Sequence, residues 1–149
     1  TDLSGAATVT AAGALVFALK ALGATRIGFA SPYVPKINDD AVAFLQSCGV
    51  TTLHRSEVTG TLDNYGQGEL TPQKVFDLGR AADHPDAQAI VLSCTDMRSV
   101  EIIDRLEAEL GKPVITSNQA MLFQALHHLG LGYADVFGNL FTSLERETA

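Results

Sequence analysis

Two periods share this chain, and the places where one gives way to the other mark its elements. The apolar run Ala89-Ile90-Val91-Leu92 stops at Ser93-Cys94-Thr95-Asp96-Met97, as a strand buried on both faces does when it reaches a turn. Val100, Ile103, Leu106 and Leu110 then recur at helical spacing, with Gly111 placed as a left-handed stop. The pattern predicts a buried strand, a tight turn and a helix that follows at once. Earlier, Val9 to Leu22 reads as a helix carrying Leu15, Leu19 and Leu22 on one face, with Thr8 or Thr10 as cap and Gly23 as stop. Arg26 to Ala30 is a short strand running into Ser31-Pro32-Tyr33-Val34-Pro35, a stiff turn because two prolines bracket the tyrosine. Ile37, Ala41, Leu45 and Cys48 mark the buried stripe of a second helix closed by Gly49, and Val50 to His54 is the second strand.

From Ser56 to Leu70 the periodicity dissolves, which predicts a functional or mobile loop. Thr71-Pro72 opens a third helix, running to Ala82. Pro113 to Thr116 is a fourth strand, and Ser117-Asn118-Gln119 opens a long helix through His128. Gly130 and Gly132 end that helix, and the tail from Tyr133 to Ala149 is partly apolar.

Alternating helix and strand predicts an α/β fold: a four-stranded parallel sheet in the flavodoxin-like order 2-1-3-4, helices on both faces. The switch point then lies between strands one and three, and Tyr33, Cys94 and Asn118 reach the same rim of the sheet. Within the predicted loop, Asp63-Asn64-Tyr65-Gly66 offers polar groups to the same region. The domain plan is a leading segment and helix over residues 1–23, an α/β lobe over 24–132, and a tail over 133–149 that packs on a partner lobe.

Composition mainly excludes. A net charge of −7 argues against nucleic acid or an anionic membrane as partner. No apolar run approaches a membrane span, and Thr1-Asp2-Leu3-Ser4-Gly5 lacks the features of a signal peptide, so the default location is the cytoplasm. Two cysteines and four histidines show no metal spacing, and no metal is expected. Gly60, Gly66 and Gly68 are too scattered for a phosphate loop, which points to a small anionic ligand.

Cys94 has two readings. Amides at a helix start would favour its thiolate, making it a reactive thiol; equally, it serves as a small core hydrophobe, as Cys48 is expected to do. Asp96 would oppose the thiolate if it faced the sulfur, and Arg98 would help. The amides around Thr95 and Asp96, with the Thr95 hydroxyl, form a cradle for one carboxylate or an enediolate. The same residues also fit plain turn and cap roles.

Taken together, Ser31-Pro32-Tyr33-Val34 with Asn38, Leu62-Asp63-Asn64, Ser93-Cys94-Thr95-Asp96-Met97 and Pro113 to Ala120 carry a resemblance. Over about Thr8 to Leu131 the chain resembles the aspartate/glutamate racemase superfamily, nearest its maleate cis-trans isomerase and arylmalonate decarboxylase branch. The resemblance implies a cofactor-free enzyme acting on a small mono- or dicarboxylate held between two similar lobes. It matches Cys94 to the catalytic cysteine of the second lobe, and Tyr33 and Asn64 to the residues that bind substrate carboxylates. Maleate isomerisation comes first among the implied reactions, with decarboxylation and racemisation as alternatives. The family's first lobe would precede Thr8, so the expectation is a fragment, or half of a split or self-paired assembly, whose partner is that lobe or a second subunit. A homo-oligomer is expected, with the first helix, Phe137 and Phe141 exposed in the isolated lobe, and Cys94 modified faster than Cys48 by a thiol reagent. A non-catalytic module of receiver type would instead need an acidic cluster after strand one and a lysine after strand four, where Ser31-Pro32-Tyr33 and Ser117-Asn118 stand.

Overall fold

A computed structural model describes residues 5, 7–132 and 138–145, the last three as backbone. Four strands, β1 (Arg26–Ser31), β2 (Thr51–Glu57), β3 (Ala89–Leu92) and β4 (Val114–Thr116), form one sheet in the order β2-β1-β3-β4, every pair parallel. Fold class and strand order are those the sequence predicts. The helices are α1 (Ala11–Ala21), α2 (Pro35–Ser47), α3 (Asn64–Gly68), α4 (Pro72–Ala81), α5 (Ile103–Leu110), α6 (Ser117–Leu129) and α7 (Asn139–Glu145).

Alternation along the strands divides the interior. Ile27, Phe29, Val91 and Ile115 pack with α1, α2, α6 and α7 on one face, while Ala30, Ile90, Leu92 and Val114 pack with α4 and α5 on the other. Gly28 is what lets the second layer close. A β-carbon there would lie 2.1 Å from the Ala82 carbonyl oxygen, so the end of α4 sits directly on the β1 backbone. The helices begin where their caps dictate: Thr10 accepts from the Gly13 amide, Thr71 from Lys74, and Thr116 forms a reciprocal capping box with Gln119. Thr10, not Thr8, is thus the cap of α1.

Four expectations are corrected. β2 runs on to Glu57, because β1 continues to Ser31 and, after one register shift at Ile27/Gly28, pairs with it to the end. Inside the predicted loop Asp63 caps the short helix α3, its carboxylate accepting from the Gly66 amide at 2.8 Å; Gly66 and Gly68 hide such a helix from propensity. No helix starts at once after Cys94: residues 95–97 bend, Val100–Ile102 is a 3₁₀ turn, and only then does α5 begin. Finally, α2 buries little, with Ile37 50% and Phe44 41% exposed, and Cys48 stands half-buried as its C-cap. The tail also differs from expectation where it is described, since Leu140 and Phe141 are buried in the chain's own core. Phe137 lies outside the described residues. Most of the inward face of α1 is covered by α6, with Ala14, Leu15, Ala18 and Leu19 buried.

Candidate active site

The carboxyl ends of β1, β3 and β4 bring three turns together, at the edge where a doubly wound sheet binds its ligands. At the end of β1 a buried network sets the turn. The Asn38 amide nitrogen donates to the Tyr33 carbonyl at 2.9 Å and to Glu57 at 2.7 Å, and the Ser31 hydroxyl donates to the Asn38 side-chain oxygen. That same Ser31 oxygen accepts from the Tyr33 amide at 3.2 Å. Asn38 and Ser31 are fully buried, so each bond forms away from competing water and fixes where the Tyr33 ring goes.

The ring goes to Cys94. Burial, first, and then a hydrogen bond to the Cys94 side chain hold the Tyr33 phenol well above its ordinary range, with the charges of Cys94 and Asp96 adding to the effect. Tyr33 therefore stays protonated at any physiological pH and acts as a hydrogen-bonding group. Cys94 itself is 2% exposed, and its thiol donates to the Gln67 side-chain oxygen at 3.4 Å.

Side chains alternate at the end of β3. Cys94 turns toward the α4–α5 layer, while Ser93 and Thr95 turn toward a cleft of about 290 Å³ between α1 and α2. Leu15, Phe29, Phe44 and Leu45 line that cleft together with Tyr33 and Ser117. Tyr33 thus separates the thiol from an apolar space. Thr95 and Asp96 are exposed, and among the described residues their amides donate no hydrogen bond, leaving two N–H groups for an anion.

Asn118 joins the rim as expected, but its amide nitrogen donates to the Thr95 carbonyl at 2.9 Å, which ties α6 to the turn after Cys94. Asn64 is exposed at the start of α3, one helical turn before Gln67 and on the same face. Arg98 turns away from the sulfur to Glu101, at 2.7 and 3.0 Å. Cys94 is buried and Cys48 half-buried. Sequence reading missed Gln67, Ser31 and Glu57. The spacing of Gln67 from Asn64 was the available signal, but it lay in a stretch without periodicity. Among the described residues no three His, Cys, Asp or Glu side chains converge as metal ligands, and no helix is long and apolar enough to cross a membrane.

A thiol, a phenol and two exposed backbone amides thus share the switch-point edge of a parallel α/β lobe. The chain belongs to the arylmalonate decarboxylase family, whose sequence profile matches residues 1–141. It is 31% identical to the maleate isomerase of Nocardia farcinica over 84% of this chain and 50% of that protein. It is 28% identical to the arylmalonate decarboxylase of Bordetella bronchiseptica over 88% of this chain and 55% of that protein. Among solved structures, the Nocardia farcinica maleate cis-trans isomerase bound to TRIS superposes with a TM-score of 0.88 at 27% identity, covering 99% of this chain and 61% of that one. A mutant of that isomerase with a covalently bound succinylcysteine intermediate superposes with a TM-score of 0.86 at 28% identity, over 94% of this chain and 58% of that one. The chain spans about half the length of the curated relatives it matches.

Proposed function

We propose that this chain supplies one half of the active site of a cofactor-independent isomerase that converts maleate to fumarate. The observation that carries the reading is the packing of Tyr33 against the cluster that holds Cys94 at the switch-point edge, beside Thr95 and Asp96, whose amides donate no hydrogen bond among the described residues. In the proposed reaction one thiolate adds to a carbon of the double bond while a second thiol gives its proton to the neighbouring carbon. The new central single bond rotates, the proton returns, and the carbon–sulfur bond breaks to give the trans alkene. Atoms balance, nothing is oxidised or reduced, and no cofactor is called for. Cys94 is one of the two thiols. Cys48, capping α2 away from the rim, is not suited to be the other, so the second comes from the lobe or subunit that completes the site. Tyr33, Asn64, the amides of Thr95 and Asp96, and Asn118 through its hold on Thr95 bind and orient the substrate carboxylates. Two free cysteines support a cytoplasmic location, and exposed Ile37 and Phe44 support assembly with a second lobe or copy.

One observation favours a second reaction at the same site. The apolar cleft beside Tyr33 would receive the substituent of an aryl- or alkylmalonate, whose carboxylate leaves as carbon dioxide and whose enediolate then takes a proton from the thiol. The test is turnover of maleate and of phenylmalonate by the native full-length protein and by Cys94→Ser and Cys48→Ser. An alcohol ionises too weakly at neutral pH to stand in for a thiol, so Cys94→Ser should lose on the order of a thousandfold or more, and Cys48→Ser little. Equal rates for Cys94→Ser and the native protein would end the reading.

A further inference from the structure

We propose that Gln67 is a positioning residue for the Cys94 thiol, holding the sulfur in both of its protonation states through the two ends of one carboxamide. The inference rests on the reading that Cys94 is the reacting thiol. Gln67 comes from α3, whose first turn is fixed by the Asp63 cap and by the Gln67 amide donating to the Asp63 carbonyl at 3.0 Å. Its side chain is 8% exposed and spans two partners of opposite polarity. Oε1 accepts from the Cys94 thiol at 3.4 Å, and Nε2 donates to the Leu62 carbonyl at 3.2 Å. The helix also lies directly against the turn after Cys94, since a β-carbon at Gly68 would be 3.7 Å from the Asp96 carbonyl oxygen.

A carboxamide carries a donor and an acceptor at equal reach. With the thiol protonated, the arrangement seen here satisfies both ends. Once the proton has passed to substrate, Oε1 faces a sulfur with nothing to give, and two electron-rich atoms oppose each other. A half-turn of the amide presents Nε2 to the thiolate instead. That turn withdraws Nε2 from Leu62 and loosens the first turn of α3, where Asn64 stands. Proton transfer at the sulfur and the position of a carboxylate-binding residue are thereby linked through one side chain. Glutamate at this position could only accept, and methionine could do neither.

Two measurements test this. The first compares hydrogen exchange at the amides of residues 66–69 in Cys94→Ser and Cys94→Ala. The serine hydroxyl still donates to Gln67, whereas alanine leaves the amide without that partner. Exchange should stay near the native rate in Cys94→Ser and rise roughly tenfold in Cys94→Ala; equal exchange in the two variants would overturn the proposal. The second measures maleate turnover by the native full-length protein carrying Gln67→Glu or Gln67→Met. Both should lower kcat about tenfold or more while KM stays within about threefold. Native kcat in Gln67→Glu, or a change confined to KM, would overturn it as well. An active Cys94→Ser would sink the functional reading alone, leaving the exchange comparison to judge Gln67.

Discussion

Tyr33 combines a ring that packs and a hydroxyl that works, and one substitution separates them. Tyr33→Phe keeps the ring between Cys94 and the apolar cleft but removes the group that hydrogen-bonds the sulfur. Thermal stability should barely move, while kcat/KM should fall on the order of a hundredfold, as for loss of one oriented donor. Activity within twofold of native would show that the phenol takes no part. Asn38 is the opposite case, fully buried beneath the turn that carries Tyr33. Asn38→Ala leaves Ser31, Glu57 and the Tyr33 carbonyl short of partners, at a cost of about 2–3 kcal/mol. Denaturant unfolding would register the loss, and an unchanged midpoint would show that the network is not needed. Cys94, Tyr33 and Asn118 were legible because each follows a strand whose pattern is plain. Gln67 was not, because its role depends on where a five-residue helix with two glycines folds back.

At the scale of elements, Glu107 is the clearest link between titration and packing. This residue of α5 points its buried carboxylate at two backbone amides, Val114 at the start of β4 and Asn139 at the start of α7. Burial pushes its protonation above the ordinary carboxylate range, the two amide bonds pull the other way, and Asp104 adds to the rise. The folded state therefore holds this proton more tightly than the unfolded chain does. Its contribution to stability is full below the unfolded value, near 4.5, and is lost as pH rises through the raised folded value. Glu107→Gln removes the ionisation and keeps an acceptor, so its stability relative to the native protein should improve from pH 4 to pH 7. Urea titrations across that range would show it, and a difference independent of pH would refute it. Helix caps were readable element by element, since Thr10, Thr71 and Thr116 each stand just before an apolar period. The full length of β2 was not, because an edge strand with little burial has no alternation to read.

For the molecule as a whole, the close seat of α4 on β1 at Gly28 is the most exacting contact. Gly28→Ala would drive a methyl group into the Ala82 carbonyl and the Ile90 side chain, with backbone rather than a flexible chain end in the way. The variant should unfold at much lower denaturant or fail to accumulate as soluble protein; native stability would show that the two layers separate easily. The strand order 2-1-3-4 was legible because parallel α/β alternation admits few topologies. That the tail returns Leu140 and Phe141 to the same core was not, since an apolar tail fits its own lobe and a partner equally well. The sheet order also bears on how the chain reaches its fold. Ile27 pairs with Ala89, so β1 leaves the ribosome long before the strand that covers its second edge has been made. During that interval the apolar segment centred on Phe29 has α1, α2 and β2 beside it but one open edge. Closing so long a stretch of chain costs entropy before its contacts repay it, so this pairing is expected to form after that of β1 with β2. The turn that carries Cys94 follows β3, so that part of the site is expected to take shape with the later pairing.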